Sequence, residues 1–529
     1  MNNQVRHVFF CAIVVAFGGF IFGLDAALIS GTVRFISAEF ALSDLQIGAV
    51  VSAPGFGVLF ALLITGFICD KYGRRQALLI ISALYILSAV ASVGAMSFEM
   101  LVTARFVGGL AFTSLSVAAM YIGEIAPPKL RGKLVAMIQI NIVIGLSAAY
   151  FANYMILQVS QLDSQWVMSL GLNTHTWRWM LGIEIIPAIL WLFLLILIPR
   201  SPRWLVMNNR MDEAKRVLHQ FLSNEEVEKE LVQIQHSVDL GDKHALSTTE
   251  AIKAMFGSKM RKAALIGLTM GVVQQITGIN AIMFYAPTVF EQVGLGTNAA
   301  FFQALIVGLV SVLFTIAAVL LVDRLGRRPL VIYGLGAGTI SLFMCHYAFS
   351  QATYILTPEQ INTFATEHGL ASMHNMVASA FSSDIEFKNM LQSVIGIEEF
   401  RRHEGQLMQM ATNVNANMIL LGVMGYIAAF HFSIGPVMWV LFSEIFPIAI
   451  RGTAIPMFAL LASIVSYLVQ QFFPWQLSHM GASDIFLFYA ISGAIGFVIL
   501  FKIMPETKNK TIEEIELDLD STKNKVSVA

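Results

Sequence analysis

Long apolar stretches separated by short polar ones set the pattern of this chain. Runs at about 8–30, 46–69, 76–97, 100–122, 133–156 and 178–198, then 262–290, 299–322, 330–350, 414–442, 453–473 and 484–503, each hold 20 residues or more. A helix rising 1.5 Å per residue needs about 20 residues to cross ~30 Å of hydrocarbon. In lipid the backbone must satisfy its own polar groups, which excludes irregular spans. The pattern predicts an all-α membrane protein with twelve transmembrane helices, six on each side of a polar stretch. The first run contains Asp25 and no small-residue cleavage site, so it reads as a retained helix rather than a signal peptide.

The polar stretches divide the chain further. Residues 1–198 form the first six-helix half and 261–504 the second, joined by 199–260, where EEVEKELVQIQ puts Val227, Leu231 and Ile234 on one helical face. Residues 505–529 form a polar tail. An insert at about 351–413 contains TPEQINTF and EEFRRHEGQLMQM, which read as amphipathic helices and not as spans. It predicts a helical cap on one face, dispensable for folding of the twelve-helix core.

Basic residues fix the expected orientation. Lys71, Arg74, Arg75, Lys129, Arg131, Lys133, the 200–262 stretch, Arg324, Arg327 and Arg328 all fall on one side, which the positive-inside rule makes cytoplasmic. Both termini are then cytoplasmic and the insert lies outside. The only N-x-S/T site, at Asn509, is on the cytoplasmic side, which favours a bacterial inner membrane over a glycosylated cell surface.

Composition changes the picture little. With 57% hydrophobic and 13% charged residues, 529 residues cannot form an ordinary soluble protein. A net charge of -1, with the positive charge confined to short loops, gives no nucleic-acid surface. The three cysteines lie in or beside apolar runs, so neither a disulfide framework nor a metal cluster is expected. No G-x-x-x-x-G-K-[ST] loop is present, which disfavours an ATP-driven pump.

The charged loops repeat. DKYGRRQ at Asp70 returns as DRLGRRPL at Asp323, and EIAPPKLRG at Glu124 returns as EIFPIAIRG at Glu444, so the chain is a tandem duplication. The copies stand 253 and 320 positions apart, and the insert accounts for the difference. A central Arg or Lys in lipid costs roughly 2.5–3.5 kcal/mol, which keeps these cassettes in loops. Their Gly permits a tight turn, and their Asp and Arg side chains can bond neighbouring helix ends.

Within the spans, polar side chains are expensive unless they face a cavity or one another. Gln139, Gln274, Gln275, Asn280 and Trp439 are such residues; amides donate and accept at once, and an indole offers an apolar face with one donor, a combination suited to a sugar. Each has a plainer reading as an interhelical bond or as packing. Asp25 and Arg105, about five residues inside the outer ends of the first and fourth runs, are placed at one depth and predicted to pair. Glu184 is a third member at similar depth, and a static structural pair is the plainer reading. His431 in the tenth run is a further titratable group.

The doubled D-x-x-G-R-R, the doubled E-x-x-P-x-x-x-R-G, QQITGINAIMFYAP, GPVMWVLFSEIFP, SPRW and PETKNKT together resemble the sugar porter family of the major facilitator superfamily. The resemblance spans nearly the whole chain apart from the insert. It implies a secondary transporter and no enzyme, working by alternating access, with no cofactor and the proton gradient as driving force. Its partners would be a small-molecule sugar or polyol, a proton and the lipid bilayer, and it would function as a monomer. It implies that Asp25 and Arg105 couple to the proton, a set to which depth alone adds Glu184, and that Phe22, Gln139, Gln274, Gln275, Asn280, Phe430 and Trp439 contact substrate. Asp70, Arg74, Arg75, Glu124 and Arg131, with Asp323, Arg327, Arg328, Glu444 and Arg451, would latch the halves together in the outward-facing state.

Departures from the family pattern bear on substrate. Leu146, Phe284, Ser311, Ala462 and Ser463 stand where polar or aromatic contacts are usual, and Arg200 replaces an acid in the segment 199–203. A hexose or pentose with a proton is the first reading. The alternatives are an uncoupled facilitator, a proton symporter for a polyol or a cyclitol such as myo-inositol, and, more distantly, a non-transporting sugar receptor.

Overall fold

The computed structural model describes residues 3–222, 224–244, 248–376, 378–510 and 512–519; the end of the predicted tail lies outside the described residues. Twelve helices are long and apolar enough to cross a membrane. They are M1 (Gln4–Phe40), M2 (Asp44–Tyr72), M3 (Arg74–Val93), M4 (Phe98–Ile125), M5 (Leu130–Ser160) and M6 (Thr176–Leu197), followed by M7 (Arg261–Phe284), M8 (Thr297–Leu325), M9 (Arg327–Ser350), M10 (Ala416–Ile445), M11 (Ile450–His479) and M12 (Gly481–Ile503). Packing repeats with the sequence. M1 lies along M5, M2 along M4 and M3 against M6; M7 lies along M11, M8 along M10 and M9 along M12.

Close approach depends on missing side chains. A Cβ on Gly23 of M1 would strike the Ile142 carbonyl of M5, and one on Gly145 of M5 would strike the Phe20 carbonyl of M1. Each cassette turns on a glycine with positive φ, Gly73 at 86° and Gly326 at 94°, a region that disfavours any Cβ.

Four spans are not single rods. M4 narrows to a 3-10 turn at Ala111–Thr113, M6 breaks before Ile185, M7 breaks around Gly278 (φ 85°), and M10 breaks at Ser433. M1 also outruns its apolar stretch. It continues to Phe40 because Val33 and Ile36 pack in the same buried cluster as Trp177.

The N-terminus, the linker and the tail share one face, as Gln4 bonds Leu222 and Glu506 bonds the M8–M9 turn. The insert occupies the other face. Its helices Pro358–His368, Asp384–Ile395 and Ile397–Ala411 enclose their own core of Phe364, Phe387, Phe400, Leu391 and Leu407. Strands β1 (Thr353–Tyr354) and β2 (Thr412–Asn413) pair antiparallel and close its base. Four residues of strand are too few to leave an alternation in the sequence.

M2 packs along M11 and M5 along M8, joining the halves. Polar bonds join the halves toward the insert face, among them Ser52 to Gln471 at 2.8 Å, Ser478 to Asp44 at 2.6 Å, Gln158 to Asn298 at 3.1 Å, and Tyr150 to the Met283 carbonyl at 2.6 Å. The conformation is closed on the insert side.

Candidate functional site

The first half carries buried charge. Asp25 and Arg105 form an ion pair at 2% and 3% exposure, so neither is shared with bulk water. Depth needs a correction: M1 ends at Phe40, so Asp25 lies near the middle of its helix and not five residues from the end. The pair still forms because M4 brings Arg105 to it, with Gly108 leaving room for the Ser88 hydroxyl of M3 beside the pair. Glu184, also buried, sits at the M6 break and interacts electrostatically with both. Asp25 Oδ2, Arg105 Nε and Glu184 Oε1 have no hydrogen-bond partner. Asp25 is thus ion-paired with Arg105, while Glu184 is a second buried carboxyl that acts on the pair through space.

The second half carries amides. Where M7 breaks, Gln274 donates to the Gly435 carbonyl of M10 at 3.4 Å, Gln275 to Gln274 Oε1 at 3.0 Å, and Asn280 to Gln275 Oε1 at 2.8 Å. Asn280 also reaches Ser466 of M11 at 2.7 Å, which accepts from Gln470 at 2.8 Å. The break is what bends Asn280 back toward Gln275. Ser466 and Gln470 escaped the sequence reading, although two polar residues one turn apart in an apolar helix meet the criterion that found the others.

Trp439 stands one turn from Gly435 on the same face of M10, packs on Phe442 at 6.1 Å and keeps 44% of its surface free. Phe430 packs against His431 at 5.5 Å, and Phe22 meets Phe112 edge-on at 4.7 Å. Gln139 is half-buried on M5. His431 pairs with Thr315 of M8 at 3.2 Å, which ties M10 to M8. The structure draws the M7 amides into one network; Phe22 and Gln139, on M1 and M5 of the first half, stand outside it.

The cassettes form two matched networks. Arg74 bonds Glu124 at 3.0 Å and Asp70 at 3.7 Å, and Ser201 bonds the second Glu124 oxygen; Arg327 bonds Glu444 at 3.0 Å and Asp323 at 3.0 Å, and Thr507 bonds the second Glu444 oxygen at 2.6 Å. Arg75 reaches the Ile196 carbonyl at 2.6 Å and Arg328 the Phe501 carbonyl at 3.0 Å. Arg131 and Arg451 donate to the Ala126 and Phe446 carbonyls. The expected bonds between halves are not made in this conformation. Each network closes within its own half.

This architecture has known counterparts. A family model described as sugar (and other) transporter matches residues 11–378 and 403–519. The chain belongs to this transporter family. It is 32% identical to the D-xylose-proton symporter of Escherichia coli, covering 98% of this chain and 97% of that one. It is 29% identical to the arabinose-proton symporter of Bacillus subtilis, covering 97% and 96%, and 31% identical to the galactose-proton symporter of E. coli, covering 97% and 94%. A structure of the E. coli xylose transporter XylE in a partially occluded inward open conformation superposes with a TM-score of 0.72 at 28% identity, covering 96% of this chain and all 100% of that one. The same transporter bound to 6-bromo-6-deoxy-D-glucose gives 0.70 at 30% identity, covering 97% and 99%. The family members named here are transporters, and the twelve-helix two-half fold is theirs.

Proposed function

We propose that this protein imports a monosaccharide together with a proton by alternating access, as a monomer in a bacterial cytoplasmic membrane, with the linker face and both termini in the cytoplasm. The observation that carries the reading is the membrane-buried set of Asp25, Arg105 and Glu184. Two carboxyls against one guanidinium are electrically balanced when one proton is bound, and burying the unbalanced charge is expensive. A proton taken from one side and released to the other as the halves rock would supply the coupling. The amide network of Gln274, Gln275, Asn280, Ser466 and Gln470 is a ready set of donors and acceptors for sugar hydroxyls, with Trp439, Phe430, Phe22 and Gln139 completing the walls. The names of the relatives, proton symporters for xylose, arabinose and galactose, support the same reading.

The test is a thermal-shift screen of pentoses, hexoses, polyols and myo-inositol on purified protein. Uptake of the best ligand into liposomes under an imposed pH gradient follows. Accumulation above the outside concentration, abolished by a protonophore, is expected. Simple equilibration would make the protein a facilitator, and a shift with polyols or inositol alone would replace the sugar.

A further inference from the structure

The insert is anchored to one half and bonded to the other. On its own half, Lys388 is buried and donates to Gln292, beyond the end of M7, at 3.0 Å while pairing with Glu404 at 3.1 Å. Burial pulls the Lys388 ammonium down in pKa, but Glu404 and Asp384 outweigh it and hold it above the usual lysine range. Asp384 accepts from the Ala482 amide at the start of M12 at 3.4 Å. Helix 384–395 is thus fastened to the segment between M7 and M8 and to M12.

Helix Ile397–Ala411 reaches across. Arg401 donates to the Leu42 carbonyl at 2.8 Å, in the turn between M1 and M2. That turn is tight: Ala41 sits at φ 49°, a region costly for a residue with a Cβ, and Leu42 is buried. One turn on, Gly405 lies flat against Arg34 of M1, where a Cβ would come within 3.4 Å of the guanidinium. Arg34 in turn bonds Glu291 and Thr297 of the second half. M1, the M7 end and the insert meet at this one guanidinium.

We propose that the insert is a strap over the outer gate, with Arg401 as its releasable catch and Lys388 as its fixed anchor. Resting on the alternating-access reading, the strap holds the insert side shut in the state seen here, and the Arg401–Leu42 bond breaks whenever the halves part on that side. The insert thereby sets how often the outer gate opens.

The gate can be read without sugar or proton gradient. Spin labels at Asp163→Cys and Ala299→Cys, both exposed on the insert side in opposite halves, report its opening by pulsed electron resonance; the native Cys11, Cys69 and Cys345 are buried. Arg401→Ala removes one charge-assisted bond and is expected to raise the long-distance population relative to the short one roughly tenfold, with Arg401→Lys restoring part of it. Arg402→Ala, whose partner Glu399 lies within the insert, is the control and should leave the distribution unchanged. An unchanged distribution in Arg401→Ala, or equal shifts in both variants, overturns the strap. Loss of transport coupling in a separate assay would bear on the proposed function and not on this result.

Discussion

The two halves of this molecule are copies in backbone and differ in what they bury. Their cassette networks share one core, Arg74–Glu124–Ser201 in the first half and Arg327–Glu444–Thr507 in the second. They part at one position. In the second half Glu506 accepts the backbone amides of Arg327 and Arg328 at 3.0 and 3.1 Å, capping the start of M9. In the first half that place is Arg200, which lies 5.7 Å over the Trp204 ring, and Trp204 Nε1 bonds the Asp70 carbonyl instead. Inside the membrane the contrast widens: a buried ion set in the first half, an amide network in the second. Duplication supplied two equivalent frames, and divergence gave one the charge and the other the polar neutral contacts.

If that division is functional, the largest effect follows from the first half. Asp25→Asn removes the ion-pair partner of Arg105, leaves Glu184 as the remaining carboxyl of the set, and takes away a carboxyl that can exchange a proton. The accumulation ratio under an imposed pH gradient is expected to fall to one, while binding and counterflow exchange persist. Retained uphill uptake would move the coupling to Glu184. The second half should answer oppositely. Gln275→Ala removes one amide that bonds both Gln274 and Asn280, and a lost hydrogen bond of about 0.5–1.5 kcal/mol weakens binding roughly two- to tenfold. Coupling stoichiometry should hold. Titration calorimetry and uptake on the same variant separate the two.

Much of this division was legible in the sequence. The duplicated cassettes, the twelve runs and the intramembrane polar residues are signals of composition and spacing, and lipid makes each costly enough to be unambiguous. What escaped is set by packing. The Asp25 depth was misjudged because Val33 and Ile36 extend M1 beyond its apolar run. Ser466 is marked in the sequence as a polar residue in an apolar helix, but its bond to Asn280 depends on the M7 break, which a hydropathy pattern does not register. The bonds across the halves depend on which conformation is populated, and one sequence encodes several.

Intermediate effects sharpen the difference at position 200. Glu506→Gln removes a carboxylate from a helix start where it accepts two amides, a loss of about 1–2 kcal/mol. Arg200→Glu offers M3 the missing cap but gives up the contact with Trp204, worth about 0.5–1 kcal/mol. The expected outcome is a clear fall in melting temperature for the first variant and a smaller rise for the second. Equal and opposite shifts would mean that the two networks are interchangeable after all.

The smallest effect belongs to the insert, which only the second half carries. His403 lies 4.2 Å from the His368 ring and 5.5 Å from Phe364, with Glu399 at 3.7 Å. Burial and the neighbouring His368, helped by Arg402 and Arg34, lower its pKa from 6.5 against the opposing pull of Glu399. A histidine depressed in this way is favoured neutral in the packed insert. Its packing is intact above about pH 6.5, the unfolded value, and weakens as pH falls toward the lower folded value. Amide-exchange protection across helix Ile397–Ala411, normalised for intrinsic rates, should therefore fall about twofold between pH 7.5 and 5.5. His403→Phe keeps the contact with Phe364 and removes the titration, so its protection should no longer change over that range. A parent whose protection is level with pH would leave the second half's extra element without a pH response, and the strap would then act by Arg401 alone.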